Sequence, residues 1–447
     1  MTSSDRNGGI PPMPTRHGTD TPPPAIDIGA DPSGSSIDTP SLGDPGASQT
    51  SMVGPTVDPG SSSIGPIQPS SALLSVHTMS GTGLSLNTGV GLVASSADRT
   101  PGGAELAREQ FGAEELAIVL SHFDIGVIHA VHEFRRGSRR APKMLFKAER
   151  GTVLLKRRAP GRDEAHRVQF SHRVQLKLSE QHFPLPKLIK DRTTGDTLVK
   201  YSGRIYELFE FIPGTRYDAT LPATSDAGHA LALFHKLIAS VPTEDLQPTL
   251  GYHTVEMIDR QFASIAQRAA SDGDDSLVAL CEELKGMYHA SAKRVDRLGI
   301  GHWPAQLVHG DWHPGNTLYR GPHVVAVIDF DSLRLEPRVL DVANGALQFS
   351  ITMDGQDLER WPDHLDESRF KRFCRGYDAV EECILSTAEI EAMPDLMIEA
   401  LILEAAAPIA ATGSFAGHDG GAFLRMVRRK CRWMLENKTR LVRLISD

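Results

Sequence analysis

The stretch "LVHGDWHPGNTLY", residues 307–319, sets two histidines, an aspartate and an asparagine between apolar residues. His309, Asp311 and His313 are spaced by two, so on a strand they would share one face, a spacing that suits zinc. Pro314-Gly315 breaks any strand at once, and no second histidine cluster completes a ligand set. A polar loop between a helix and a strand, with His309 held by backbone carbonyls, explains the composition without any chemistry. A third reading starts from the interval between Asp311 and Asn316.

A loop that catalyses phosphoryl transfer needs an aspartate to orient the acceptor hydroxyl and, a fixed distance further on, an asparagine to hold magnesium. Asp311 and Asn316 have the separation of that signature. The same chemistry needs a second magnesium ligand leaving a neighbouring strand, because the metal must neutralise phosphate charge. "VVAVIDFD", residues 324–331, ends its apolar run at Asp329. It also needs a strand lysine for the phosphates of the nucleotide, and "TVLLKR", residues 152–157, offers Lys156. A strand lysine alone is usually a solvated edge residue. Four such elements in this order favour phosphoryl transfer over the zinc and plain-loop readings.

With these residues in view, the sequence resembles the aminoglycoside phosphotransferase and choline kinase-like enzymes, nearest to their homoserine kinase type and spore-coat type branches. The resemblance spans roughly residues 105–440 and is most specific in "LVHGDWHPGNTLY" and "VAVIDFDSLRLEPRVLDVA". It implies an ATP- and Mg²⁺-dependent enzyme with Asp311 as catalytic base, Asn316 and Asp329 as magnesium ligands and Lys156 on the phosphates. Asp341 would support the catalytic loop, as would His309 and His313, and "YELFEFIPG" would be a hinge where backbone groups from Glu210 to Ile212 meet adenine. "ALALFHKL" would be the first large-lobe helix, carrying His235.

Two departures stand out against the family pattern. The helix position that normally pairs a glutamate with the strand lysine falls at Ser171 or His172, leaving Glu164 as the substitute or the lysine poorly oriented. The phosphate-covering segment "RRGSRRAPK" has one glycine; there Ser138 and nearby backbone amides are expected to cap phosphates, with Arg139, Arg140 or Lys143 adding charge. Asp331, last in the "DFD" run, is left open between helping the metal and capping the turn.

Working outward, the expected fold is α+β, with two protein-kinase-like lobes. Residues 103–213 read as a small β-rich lobe: an opening helix or two, a hairpin turning at "ERG", a helix stopped by "FPLP", and a strand pair. Residues 214–447 read as a larger helical lobe containing the 309–316 loop. Residues 1–102 are rich in Ser, Gly, Pro, Thr and Asp, and the first lysine of the chain is Lys143. Ordering such an arm would cost on the order of 100 kcal/mol that its sparse apolar residues do not supply, so disorder is expected. Its patches "SALLSV" and "GTGLSLNTGVGLVASS" are candidates for docking onto a protein partner or onto the body.

A net charge of −9 argues against a chain-wide affinity for nucleic acid. No apolar run reaches the roughly 18 residues of a membrane span, no leader pattern opens the chain, and four scattered cysteines read as reduced thiols, so the cytoplasm is the expected location. The expected reaction moves the γ-phosphoryl group of ATP to a hydroxyl of a small molecule such as an amino alcohol, sugar or aminoglycoside-like compound. Asp354, Asp357 and Glu359 would suit a cationic acceptor. A protein acceptor is less expected, since no A-P-E segment follows Asp329. The alternative is a nucleotide-binding pseudokinase scaffold without turnover.

Overall fold

Alternating apolar residues in the first lobe build a five-stranded antiparallel sheet. Its strands are β1 (Ile128–Glu133), β2 (Lys143–Ala148), β3 (Gly151–Arg157), β4 (Val199–Tyr201) and β5 (Arg204–Glu210), in the spatial order β1-β2-β3-β5-β4. The computed structural model describes residues 108–135, 139–243, 246–253, 255–355 and 357–446. The expected disordered arm, residues 1–102, lies outside them.

Period-two alternation gives the sheet two different faces. Phe146, Val153, Leu155, Tyr206 and Leu208 point one way and form a core with Val119, Phe123 and Ile125 in and after helix α1 (Ala113–Ser121). Arg157 locks that helix on, pairing with Glu115 at 2.6 Å and Glu109 at 2.9 Å. The other face meets helix α2 (Ala165–Glu180), which buries Val168, Ser171, His172, Gln175 and Leu178 along one side. The hairpin, helix and strand pair follow the expected order. Of the opening helices, only α1 falls among the described residues.

The second lobe is helical: α3 (Leu221–Ile238), α4 (Val255–Ser271), α5 (Asp275–Arg297), α6 (Arg338–Ser350), α7 (Glu367–Asp378), α8 (Thr387–Thr412), α9 (Gly420–Glu436) and α10 (Lys438–Ser446). They share one large core. Helices α3 and α7 cross with their backbones in contact, which only glycine permits: a β-carbon on Gly228 would strike the Phe373 carbonyl, and one on Gly376 the Ser225 carbonyl. Helix α8 is buried along most of its length, and most of its residues are apolar. The basic C-terminal run breaks at Asn437 into α9 and α10, both with buried apolar stripes. Among the described residues, no helix is long and apolar enough to cross a membrane.

Two short antiparallel pairs carry the central window. One joins β6 (Ala305–Val308) to β9 (Arg334–Pro337), the other β7 (Thr317–Arg320) to β8 (His323–Val327). Thr215, just past β5, exchanges backbone hydrogen bonds with Tyr319 at 2.8 and 2.9 Å. That exchange fixes the window relative to the end of the first-lobe sheet.

Candidate active site

The window leaves β6 at Val308 and turns sharply. Gly310 takes φ +74°, and a side chain there would run into Arg334 and the Ser332 carbonyl. One carboxylate holds the turn: Asp341, on α6, accepts from the His309 N–H at 2.9 Å and the Gly310 N–H at 3.1 Å, and lies 3.2 Å from His235 Nε2. These bonds to its charged form outweigh the burial that would protonate it, so its pKa lies below the usual value.

The two histidines brace the loop. His309 Nδ1 accepts from the Asp311 N–H at 3.3 Å, which leaves Nε2 as the donor to the Ile328 carbonyl at 3.3 Å. Burial lowers its pKa, consistent with a neutral ring. His313 Nδ1 accepts from the Gly315 N–H at 3.0 Å, and its Nε2 lies 3.5 Å from Asp311 Oδ1. Burial opposes a charge on His313, but the adjacent Asp311 outweighs it and raises the pKa. Trp312 is buried and packs edge-on against His309 and beside Phe234. Both Nδ1 atoms are occupied by backbone amides, and among the described residues no three His, Cys, Asp or Glu side chains gather as a metal site.

Asp311 is set against Asn316, whose side-chain amide donates to its carboxylate at 3.0 Å and its carbonyl at 2.9 Å. Despite burial, His313 and these bonds hold Asp311 in its charged form with a lowered pKa. The Ile328 N–H donates to the Asn316 carbonyl at 3.0 Å, so the next residue, Asp329, emerges beside the loop. Asp329 sits in the left-handed region at φ +65°, unusual for a non-glycine residue and the kind of strain that functional sites retain. Burial, followed by the nearby charge of Asp331, raises its pKa. With the Asn316 side-chain nitrogen committed to Asp311, the side-chain oxygen is the atom that could meet a cation. That oxygen and the Asp329 carboxylate, which feels the negative charge of Asp331 and Asp311, are donors of the kind a hard divalent cation such as Mg²⁺ takes.

Across from these groups stands Lys156 on β3. It is the direct cross-strand partner of Lys143 on β2 and of Glu207 on β5, so all three share one face of the sheet. Lys156 Nζ lies 3.4 Å from Asp331 and 3.8 Å from Glu207. Burial would strip its proton, yet these two carboxylates keep its pKa above the usual value. For Lys143, burial and then the charge of Lys156 outweigh the nearby Asp329 and Asp331 and push its pKa down to about 8. Arg158 bridges the two carboxylates, 2.8 Å from Glu207 and 2.7 Å from Asp331. Asp331 therefore faces the strand cations Lys156 and Arg158.

The helix glutamate expected near Lys156 has no counterpart at Glu164, which is exposed at the start of α2 and pairs with Arg167 at 3.3 Å. Glu164 faces solvent because it precedes the buried stripe of the helix. His172 occupies the helix slot, with Nε2 2.7 Å from Glu207 and Nδ1 2.7 Å from the Thr197 hydroxyl. Sequence reasoning missed Glu207 and Arg158. The available signal was a glutamate in the middle of the apolar strand "RIYELFE".

Elsewhere, Ser138 falls outside the described residues, and Arg139 and Arg140 are exposed. Glu210 ends β5 with its N–H bound to the Lys187 carbonyl at 2.8 Å, and Phe211 binds the Thr152 carbonyl at 2.9 Å. Ile212 follows half-buried, where the chain passes to the second lobe. Asp354, Asp357 and Glu359 are exposed, and Asp357 caps its own short turn. The carboxylate closer to Asp311 is Glu404 on α8, which accepts from Gln348 at 2.6 Å. Burial and the negative charge of Asp311 push its pKa up to about 8. It borders a cavity whose other walls include Gln348, Trp361, Leu401, Phe415 and Met426.

The model of the phosphotransferase enzyme family, APH, matches residues 132–383, more than half of the chain. The chain belongs to this family. Among solved structures, the phosphotransferase chain is similar to an aminoglycoside phosphotransferase from Alicyclobacillus acidocaldarius subsp. acidocaldarius. The two are 17% identical with a TM-score of 0.53 over 74% of this chain and 95% of the other. The microcompartment-associated aminopropanol kinase has 15% identity and a TM-score of 0.53 over 74% and 100% of the two chains. The amicoumacin kinase hAmiN, solved with AMP-PNP, Ca²⁺ and Ami, has 15% identity and a TM-score of 0.50 over 74% and 94%. At these identities the likeness shows the fold. No curated protein matches the chain.

Proposed function

We propose that this phosphotransferase moves the γ-phosphoryl group of ATP to a hydroxyl of a small molecule. The observation that carries the reading is the clasp of Asn316 on Asp311, beside Asp329 and opposite Lys156. Asp311 orients the acceptor hydroxyl. A carboxylate whose pKa is lowered is a weak base toward an alcohol, so alignment contributes more than proton abstraction. Asn316 and Asp329 hold Mg²⁺, which when bound neutralises charge on the phosphates. Lys156 and Lys143 face the phosphates, and the backbone from Glu210 to Ile212 meets the adenine.

The scaffold alternative drew its support from the missing helix glutamate. Glu207, 3.8 Å from Lys156, places a carboxylate beside the lysine from the sheet, which supports the enzyme reading. The deciding experiment is Mg²⁺-dependent ATP turnover with a panel of amino alcohols, sugars and aminoglycosides, on the wild type and on Asp311→Ala. Turnover with at least one acceptor and its loss in the variant, by about 10²-fold or more in kcat, is the expected result. ATP binding with no acceptor phosphorylated would return the scaffold reading.

A further inference from the structure

Lys156 is the group on which the nucleotide reading leans, and the family's usual device for orienting it is absent from α2. Three observations show what stands in its place. Glu207 is fully buried and directly opposite Lys156 in the β3–β5 register. One of its oxygens, Oε1, is held twice, by Arg158 at 2.8 Å and by His172 at 2.7 Å. The other, Oε2, is buried with no hydrogen-bond partner among the described residues and faces Lys156 Nζ at 3.8 Å.

The carboxylate is thus immobilised at one oxygen and presented to the lysine with the other. Asp331 lies closer and accepts a hydrogen bond from Lys156 at 3.4 Å, but it is less buried and belongs to the turn after Asp329 rather than to the sheet, so its placement is not set by the strand pairing that fixes Glu207. Glu207 and Lys156 sit on adjacent paired strands, so their relative placement is set by backbone hydrogen bonds. His172 reaches the pair from the helix. Glu207 is ionised, since Arg158 and Lys156 outweigh its burial, so His172 Nε2 is the donor in that contact.

We propose that Glu207 is the positioning residue for Lys156 in nucleotide binding, replacing the helix carboxylate, and that His172 serves only to moor α2 to it. In this arrangement the orientation of the lysine is a property of the sheet. Displacement of α2 breaks a histidine contact and leaves the lysine's partner in place.

The proposal rests on the nucleotide reading above, and the test separates the two. The Kd of Mg²⁺·ATP, measured by calorimetry, and the KM for ATP apart from kcat are compared in four variants. Lys156→Met is expected to weaken binding by about tenfold or more. If it does not, the nucleotide reading itself fails. Glu207→Gln is expected to weaken binding and raise KM to a similar extent, and His172→Gln to weaken it less. In His172→Glu/Glu207→Gln, which returns the carboxylate to the helix, binding is expected to recover most of the loss. Loss in Lys156→Met without loss in Glu207→Gln overturns the proposal and leaves the function standing. Should Glu207→Gln fail to fold, His172→Gln decides: a loss as large as that of Lys156→Met would mean that the helix orients the lysine.

Discussion

Asn316 binds Asp311 twice, through the carboxylate at 3.0 Å and through the backbone carbonyl at 2.9 Å. The four residues between them form a tight turn that the Gly315 N–H closes onto His313. The amide therefore orients the carboxylate. In Asn316→Ala, both the alignment of Asp311 and the proposed metal ligand are lost. We expect kcat/KM to fall by about 10²-fold or more, because misplacement of a reacting group by about 1 Å costs that much. The Mg²⁺ concentration for half-maximal rate should also rise. Unchanged values in a magnesium titration would remove Asn316 from the metal site.

Asp341 is buried with three partners: two loop N–H groups and His235. Truncation in Asp341→Ala would leave all three unsatisfied. Breaking a buried charged network in this way costs roughly 3–5 kcal/mol. Asp341→Asn keeps an acceptor oxygen and should lose less. Urea unfolding midpoints order the three proteins, and a cost for Asp341→Ala below that of an ordinary surface substitution would contradict the supporting role.

In the second lobe, His253 Nδ1 lies 2.6 Å from Glu399 on α8, and its Nε2 lies 3.2 Å from Asp296. Burial pushes Glu399 up to about 7, with His253 partly offsetting it. Burial opposes a charge on His253, but Glu399 and Asp296 outweigh it and raise its pKa. Both folded-state values lie above those of the unfolded chain. The stability they contribute is therefore fully present at low pH and is lost as pH rises through about 7. The urea midpoint should fall as pH rises from about 4.5 towards 7, and the slope there should flatten in Glu399→Gln. An equally steep slope in the variant would assign the pH dependence elsewhere.

Much of the site was legible because its parts are local. The interval from Asp311 to Asn316, the strand ending at Asp329 and the strand carrying Lys156 are short-range patterns in which side-chain direction follows from the element itself. The histidines of the window invited a zinc reading for the same reason: spacing by two suggests a shared face only if the segment is a strand. Pro314 and Gly315 deny that, and the structure gives each ring a backbone amide to hold.

What composition and spacing determined by themselves was the order of the elements and the two-lobe α+β architecture, since hydrophobic periodicity and turn chemistry are properties of neighbouring residues. Which carboxylate meets Lys156 was decided only in three dimensions. Glu164 precedes the buried stripe of its helix, and Glu207 arrives from a strand whose pairing partner no local pattern names. A slip of one residue in the β3–β5 register would turn Glu207 to the opposite face. That register is set by the packing of the whole first-lobe sheet between α1 and α2, and the charge cluster around Lys156 exists only as its consequence.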